Sequence, residues 1–228
     1  MYRYETHLHT WPVSKCGKVN VRENLEFYKE MGYDGVFITN HYLDGNVNID
    51  PECPFEERID FYFSDYEEGV EIGKELGIKV FLGTEIAYKG TDFLVYGLDK
   101  EWYRANPQIL NMKKTEELQY MMDCGALVIQ AHPFRQAKYI DHIRLFPKSV
   151  HGVEVINACR KDEVNEIAAY YAKHYGLLEF AGSDNHVGCN AKKLAGMCCD
   201  TTICSEAEFV AAVKNGKMQM FTQTLIYE

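Results

Sequence analysis

Hydrophobic positions along this chain follow two rhythms. Short runs of consecutive apolar, often β-branched residues alternate with longer stretches in which apolar residues return every three or four positions. The second rhythm predicts helices over residues 21–31 (VRENLEFYKEM, with Leu25, Tyr28 and Met31 on one face), 55–76, 115–124 (TEELQYMMDC), 163–175 and 206–214. Glycines stand where four of these stop, at Gly32, Gly77, Gly125 and Gly176, as helix ends favour. The first rhythm predicts strands from Tyr2 to His9, over 34–40 (DGVFITN), 78–82 (IKVFL), 93–96, 126–131 (ALVIQA), 150–156 and 178–181, and a closing strand over 219–222.

Strands alternating with helices argue for a parallel sheet, and at 228 residues a closed or nearly closed β/α barrel fits better than an open doubly wound sheet. We expect one α/β domain over residues 1–228, because no Pro/Gly/Ser-rich linker, repeat or low-complexity run divides the chain.

Charge and cysteine content narrow the classes. The net charge of −10, from 24 basic and 34 acidic residues, argues against nucleic acid as the main partner, since that binding needs clustered Lys and Arg. The first residues lack a signal peptide's apolar core and no apolar run reaches a membrane span, so a soluble, cytoplasmic protein without a membrane partner is expected. Eight cysteines spread from Cys16 to Cys204, with no Cys-x-x-Cys pair, read mostly as small buried residues. Cys198 and Cys199, with Cys204, read as a turn around a strand rather than a metal site.

The candidate chemistry lies at the strand ends. His7 and His9 share one side of the first strand because side chains alternate with period two. His41, Glu85, His132, Asp184 and His186 all stand at or just past the ends of later strands, the face on which β/α barrels carry their active sites. His142, His151 and His174 do not. Imidazoles for affinity with carboxylates to bridge and neutralise is what a borderline divalent metal needs.

The motifs His7-Leu8-His9-Thr10, Ile38-Thr39-Asn40-His41, Gly83-Thr84-Glu85-Ile86, Ala131-His132-Pro133 and Gly182-Ser183-Asp184-Asn185-His186, in this order, resemble the PHP (polymerase and histidinol phosphatase) family of metal-dependent phosphoesterases. The resemblance implies a distorted seven-stranded TIM-like barrel with two or three divalent ions (Zn, Mn or Fe). It implies hydrolysis of phosphate esters; since paired cations can activate a bridging water, the expected nucleophile is a metal-bridging hydroxide, with no phosphorylated side chain. It also implies that His7, His9, Glu85 and Asp184 hold one metal, that Glu85 bridges to a second shared with His132, and that His41 and His186 hold a third. Glu154 matches a family position behind the ligands. The chain departs from the pattern where many members carry Asp before the second-motif His and this one has Asn40. A metal-binding Asp or His in the first loop is replaced by Val13-Ser14-Lys15-Cys16-Gly17, so Cys16 is a further candidate ligand and Lys15 a candidate fixed cation. Asp92 is another candidate ligand, through oxygen, where relatives place a histidine.

For the reaction, Arg135 is the first candidate to meet phosphate charge and Arg160 the second. His186 is a candidate general acid, and Tyr42 and Trp11 are candidate pocket residues. The expected partner is a small phosphorylated substrate such as a sugar phosphate, histidinol phosphate or nucleotide. The rival readings are an amidohydrolase-type C–N hydrolase, which also begins on His-x-His, and a PHP-like regulatory module without catalysis.

Overall fold

The computed structural model describes residues 1–226. Its strands are β1 (Tyr2–Leu8), β2 (Gly35–Ile38), β3 (Lys79–Tyr88), β4 (Thr91–Tyr96), β5 (Leu127–Ala131), β6 (Gly152–Asn157), β7 (Leu178–Gly182), β8 (Lys193–Cys199) and β9 (Gln219–Thr224). Its helices are α1 (Val21–Glu30), α2 (Phe55–Leu76), α3 (Lys100–Ala105), α4 (Lys114–Asp123), α5 (Asp162–Tyr175) and α6 (Glu206–Lys214). The strands form one sheet in the order β7-β6-β5-β4-β3-β2-β1-β8-β9, curled into a nearly closed barrel.

Two features differ from an all-parallel, seven-stranded barrel. β3 does not stop at Gly83 but runs on through Glu85 to Tyr88 and folds back as β4, antiparallel to both β3 and β5. Its two-residue turn is Lys89-Gly90, both with positive φ (51° and 83°), the conformation that matches strand twist in tight hairpins. β8 and β9 form a second antiparallel pair on the edge of β1. That edge of β1 is divided: Tyr2 to Tyr4 pair with β8, whereas His7 and His9 exchange backbone hydrogen bonds with Asn185, just past β7. The second exchange brings the two ends of the barrel together.

The helices follow the sequence pattern because their caps are local. Asn20 accepts the Glu23 N–H at the start of α1, Ser205 does so for Glu208 in α6, and Gly77 and Gly176 stop α2 and α5 in the left-handed conformation. α2 lies close on the sheet because Gly73 has no side chain; a Cβ there would sit 2.6 Å from the Ile78 carbonyl oxygen.

Inside the barrel the two ends differ. Away from the strand C-termini, Phe37, Phe81, Tyr96, Phe180 and Phe209 pack ring on ring, with Phe209 of α6 centred 4.3 Å from Phe37. This aromatic layer forms a floor, and the polar side chains collect above it. Among the described residues no helix is long and apolar enough to cross a membrane. The cysteines differ from expectation: only Cys198 and Cys199 are buried, Cys16 and Cys53 are half-buried, four are exposed, and none is paired in a disulfide. The two buried ones end β8, the strand beside the turn expected around Cys198 and Cys199.

Candidate metal centre

Glu85 is the centre of the site. Its carboxylate is buried, and four imidazole nitrogens surround it. His7 Nε2 and His132 Nε2 lie 3.3 Å from Oε1; His9 Nε2 lies 3.3 Å and His41 Nδ1 2.7 Å from Oε2. The backbone fixes this arrangement, since Glu85 N–H donates to Asn40 O and Tyr42 N–H donates to Glu85 O, which locks His41 beside the strand. Asp184 completes the cluster, its Oδ1 3.5 Å from Nε2 of both His7 and His9. His132 and Asp184 are both non-glycine residues at positive φ (25° and 54°), a conformation that costs energy and that the site's packing holds in place.

His7, His9 and His186 each present one nitrogen to the cluster because the other is engaged. His7 Nδ1 lies 3.0 Å from Glu154 Oε1, His9 Nδ1 lies 3.2 Å from the Ser14 hydroxyl, and His186 Nδ1–H donates to the Asp184 carbonyl at 2.7 Å. Behind Ser14, its hydroxyl donates to Asn40 Oδ1, and Asn40 Nδ2 donates to Thr10 Oγ1 and Asp65 Oδ2. Asn40 therefore orients His9 at second hand.

Whether cations suit these donors can be tested on the unpaired atoms. Glu85 Oε1 is buried with imidazole nitrogens at 3.3 Å and no hydrogen bond; Oε2 faces His41 Nδ1 at 2.7 Å and Asp92 Oδ2 faces Arg135 Nη2 at 2.8 Å, neither contact in hydrogen-bond geometry. With His7 Nδ1–H given to Glu154 and His9 Nδ1–H to Ser14, the two Nε2 lone pairs face each other at 3.2 Å, a repulsive contact unless a proton or cation lies between. Three groups bring donor atoms within 4.8 Å of one another: His7, His9 and Asp184; His7, Glu85 and His132; and His9, Cys16, His41 and His186. The donor set fits divalent metal.

Without metal the cluster balances its own charge. Burial alone would raise the Glu85 carboxyl, but His41, His7 and His9 hold it well below the usual carboxylate range. Asp184 is likewise depressed against burial, by His7, His9, His132 and His186. Cys16 is driven down to about 5: burial resists, and hydrogen bonds with His186 and His41 prevail. Asp92 is raised by burial and by the charge of Glu85.

Above the cluster opens a cavity of about 470 Å³, lined by Cys16, Asp92, Arg135, Tyr139, Arg160 and the upper ligand candidates. Arg135 Nη2 lies 2.8 Å from Asp92 Oδ2, and Arg160 Nη2 donates to Asp184 Oδ2 at 2.6 Å, so both arginines are tied to carboxylates at the rim. The structure thus gathers His7, His9, His41, Glu85, His132, Asp184, His186, Asp92, Cys16, Arg135 and Arg160 in one place. It does not gather Tyr42, which is fully buried against Tyr62 and Tyr103 in the core beneath the loop; its expected place in the substrate pocket is corrected. Trp11 and Lys15 are exposed and do not line the cavity.

Three supporting residues were missed. Glu5 shares the face of His7 and His9, and its Oε1 accepts the N–H groups of Thr6, His7 and Ser183 where the β1–β2 register shifts. The period-two pattern Glu5-His7-His9 carried that signal. Asp65 was signalled as an acid within the apolar stripe of α2. Asn157, which donates to Glu154 Oε2 and Asp184 Oδ2, had no local signal.

Comparison with known proteins bears on this geometry. Residues 162–218 match the family model described as PHP-associated. No curated protein matches the chain. Among solved structures, a two-domain protein from Bacteroides vulgatus containing a predicted PHP-like metal-dependent phosphoesterase superposes with a TM-score of 0.71 at 14% identity, over 96% of this chain. This chain spans 64% of that protein's length. PsfC from Pseudomonas syringae superposes with a TM-score of 0.61 at 15% identity, covering 99% of this chain and 93% of PsfC. An amidohydrolase from Chromobacterium violaceum, solved with bound sulfate and no metal, gives 0.50 at 12% identity, covering 83% and 89%. At these identities the structural likenesses show the fold, a β/α barrel, and the match to the PHP-associated model covers residues 162–218 of the chain.

Proposed function

We propose that this protein is a metal-dependent phosphoesterase acting on a small phosphomonoester. The observation that carries the reading is Glu85, buried with its two oxygens among four imidazole nitrogens at 2.7 to 3.3 Å, at the base of a cavity rimmed by two arginines. His7, His9, Glu85 and Asp184 would hold one cation, Glu85 and His132 with Asp92 a second, and His41 and His186 a third. When bound, the cations supply Lewis-acid polarisation of a phosphoryl oxygen and activation of water at neutral pH.

The chain's own residues do the positioning. Glu154 keeps His7 in one tautomer and Ser14 does the same for His9, so that each turns Nε2 to the centre. Arg160 takes one oxygen of Asp184 and leaves Oδ1 to face the histidines. Arg135, steadied by Asp92, presents its guanidinium to the cavity, where it pairs with phosphate oxygens. His186 has only Nε2 to offer, because Nδ1 is given to the Asp184 carbonyl; we assign that atom to ligation ahead of proton transfer. The cavity suits a ligand of sugar-phosphate or nucleotide size.

The likeness to an amidohydrolase keeps a second reading, hydrolysis of a C–N bond, which uses the same kind of centre. Two cationic side chains at the rim favour an anionic ester. Metal analysis of protein purified without chelator, with a phosphate-release screen and an amide panel, tests the proposal. The expected result is at least two metals per chain and release of phosphate that His9→Ala and Asp184→Ala abolish. Amide turnover with no phosphate release selects the C–N hydrolase. Less than one metal per chain, not restored by Zn, Mn or Fe, selects the regulatory module.

A further inference from the structure

The loop after β1 brings Cys16 to the mouth of the cavity, where its sulfur joins nitrogens of His9, His41 and His186 within 4.8 Å. His9 belongs to the inner group. Its Nε2 lies 3.2 Å from that of His7 and 3.5 Å from Asp184 Oδ1, and one imidazole nitrogen serves one cation. Cys16, His41 and His186 remain. Of these, His41 is buried with Nδ1 2.7 Å from Glu85 Oε2, and His186 has only Nε2 to give.

The loop holds the sulfur in place. Lys15 N–H donates to Asn46 O, Gly17 N–H to Ser14 O, and Lys18 N–H to His186 O, so the backbone on both sides of Cys16 is tied to the site's own walls. Gly17 makes the turn possible, since a Cβ there would stand 2.8 Å from the Thr10 carbonyl carbon. A thiol carried on so constrained a turn, facing two imidazoles, is preorganised as a donor.

We infer that Cys16, with His41 and His186, forms a thiolate-bearing cation position whose metal preference differs from that of the inner positions. This rests on the proposed metal-dependent reading and adds to it. One sulfur and two nitrogens make a soft donor set suited to zinc, cobalt or ferrous iron, whereas the inner positions, rich in Glu85, Asp184 and Asp92 oxygens, also accept manganese. The site then holds unlike metals: manganese fills the inner positions and leaves the mouth to a thiophilic ion.

Cobalt(II) reports a thiolate ligand directly, through an intense sulfur-to-cobalt charge-transfer band in the near ultraviolet. Metal-stripped whole protein titrated with cobalt should develop that band. Cys16→Ser should lose the band and one cobalt per chain while the inner cobalts bind, and Cys16→His should regain the cobalt without the band. Cys159 also approaches His186, and its sulfur donates to the Asp184 carbonyl at 3.1 Å. Cys159→Ser should therefore keep the band. A band unchanged in Cys16→Ser, or inner cobalts bound by the unaltered protein with no band, overturns the inference and leaves the phosphoesterase reading standing. No cobalt bound at all overturns both.

Discussion

Glu154 holds His7 from behind, its Oε1 3.0 Å from Nδ1, while its Oε2 accepts the backbone N–H of His132 at 3.0 Å. One buried carboxylate thus orients two candidate ligands without being one. Truncating it should weaken metal binding while leaving every ligand present. Glu154→Ala is expected to lower affinity for the inner cations by about 10- to 100-fold. Competition with a fluorescent chelator measures this, and unchanged affinity would remove Glu154 from the site's design.

Arg135 reaches the cavity from the loop after β5 and rests on Asp92. If it contacts the phosphate, Arg135→Met should cost one charge-assisted interaction, roughly 1.5–3 kcal/mol, or about a 10- to 150-fold fall in kcat/KM. Metal content should stay as in the parent. A variant that loses metal instead would show that Arg135 acts by holding Asp92, and steady-state kinetics beside elemental analysis separates the two outcomes.

These side chains were legible to different degrees. The helices announced themselves through stripes such as Leu25 and Tyr28, and through Gly77 and Gly176, because amphipathic periodicity and left-handed stops are local properties. β8 was not legible. Its Gly196 is fitted to the backbone of β1, where a Cβ would stand 2.2 Å from Tyr4 O, and not to strand propensity, so KLAGMCC carries little β-branched signal. Gly83 misled in the same way. It looks like a strand end, yet it lies inside β3 because a Cβ there would strike Thr39 Cγ2 at 2.6 Å. The strand-end histidines and acids stood out because ionisable groups after apolar runs are conspicuous. The supporting shell did not, since Ser14 with Asn40 and Glu5 with Ser183 meet only once the barrel closes.

Away from the cluster, Glu117 offers a test of electrostatics in the fold. It is buried on α4 beside Lys114 at 2.6 Å, and Lys114 also reaches Asp44 at 2.9 Å in the loop after His41. Burial lifts the Glu117 carboxyl from 4.5 to about 7, against the pull of Lys114. A raised carboxyl means that the folded state holds a proton the unfolded chain has given up. This group therefore subtracts nothing from stability below pH 4.5, and subtracts progressively more as pH rises from 4.5 to 7. Lys114 is raised and stays charged across that window. Urea midpoints measured from pH 4.5 to 7 should fall less steeply in Glu117→Gln than in the parent. Parallel curves would show that Glu117 does not titrate in this range.

Stability and metal binding should also come apart between Phe209 and Asp65. Phe209 is fully buried in the aromatic floor, touching Phe37, Tyr96 and Phe180. Phe209→Ala should cost about 3–5 kcal/mol by leaving a cavity, with cation affinity of the folded protein unchanged because no ligand or its support is touched. Asp65 sits on α2 and accepts the Thr10 hydroxyl at 2.6 Å and Asn40 Nδ2 at 3.3 Å. Asp65→Ala leaves those buried donors unpaired, about 1–3 kcal/mol. It also frees Asn40 and the loop that carries Ser14 and Cys16. Denaturant unfolding and chelator competition on both variants decide the matter. A smaller stability loss with a larger affinity loss in Asp65→Ala is the expected result, because the chain that orients His9 runs through Ser14 and Asn40 to Asp65 and never passes through the floor. Equal affinity losses in the two variants would mean that the site responds to global softening alone.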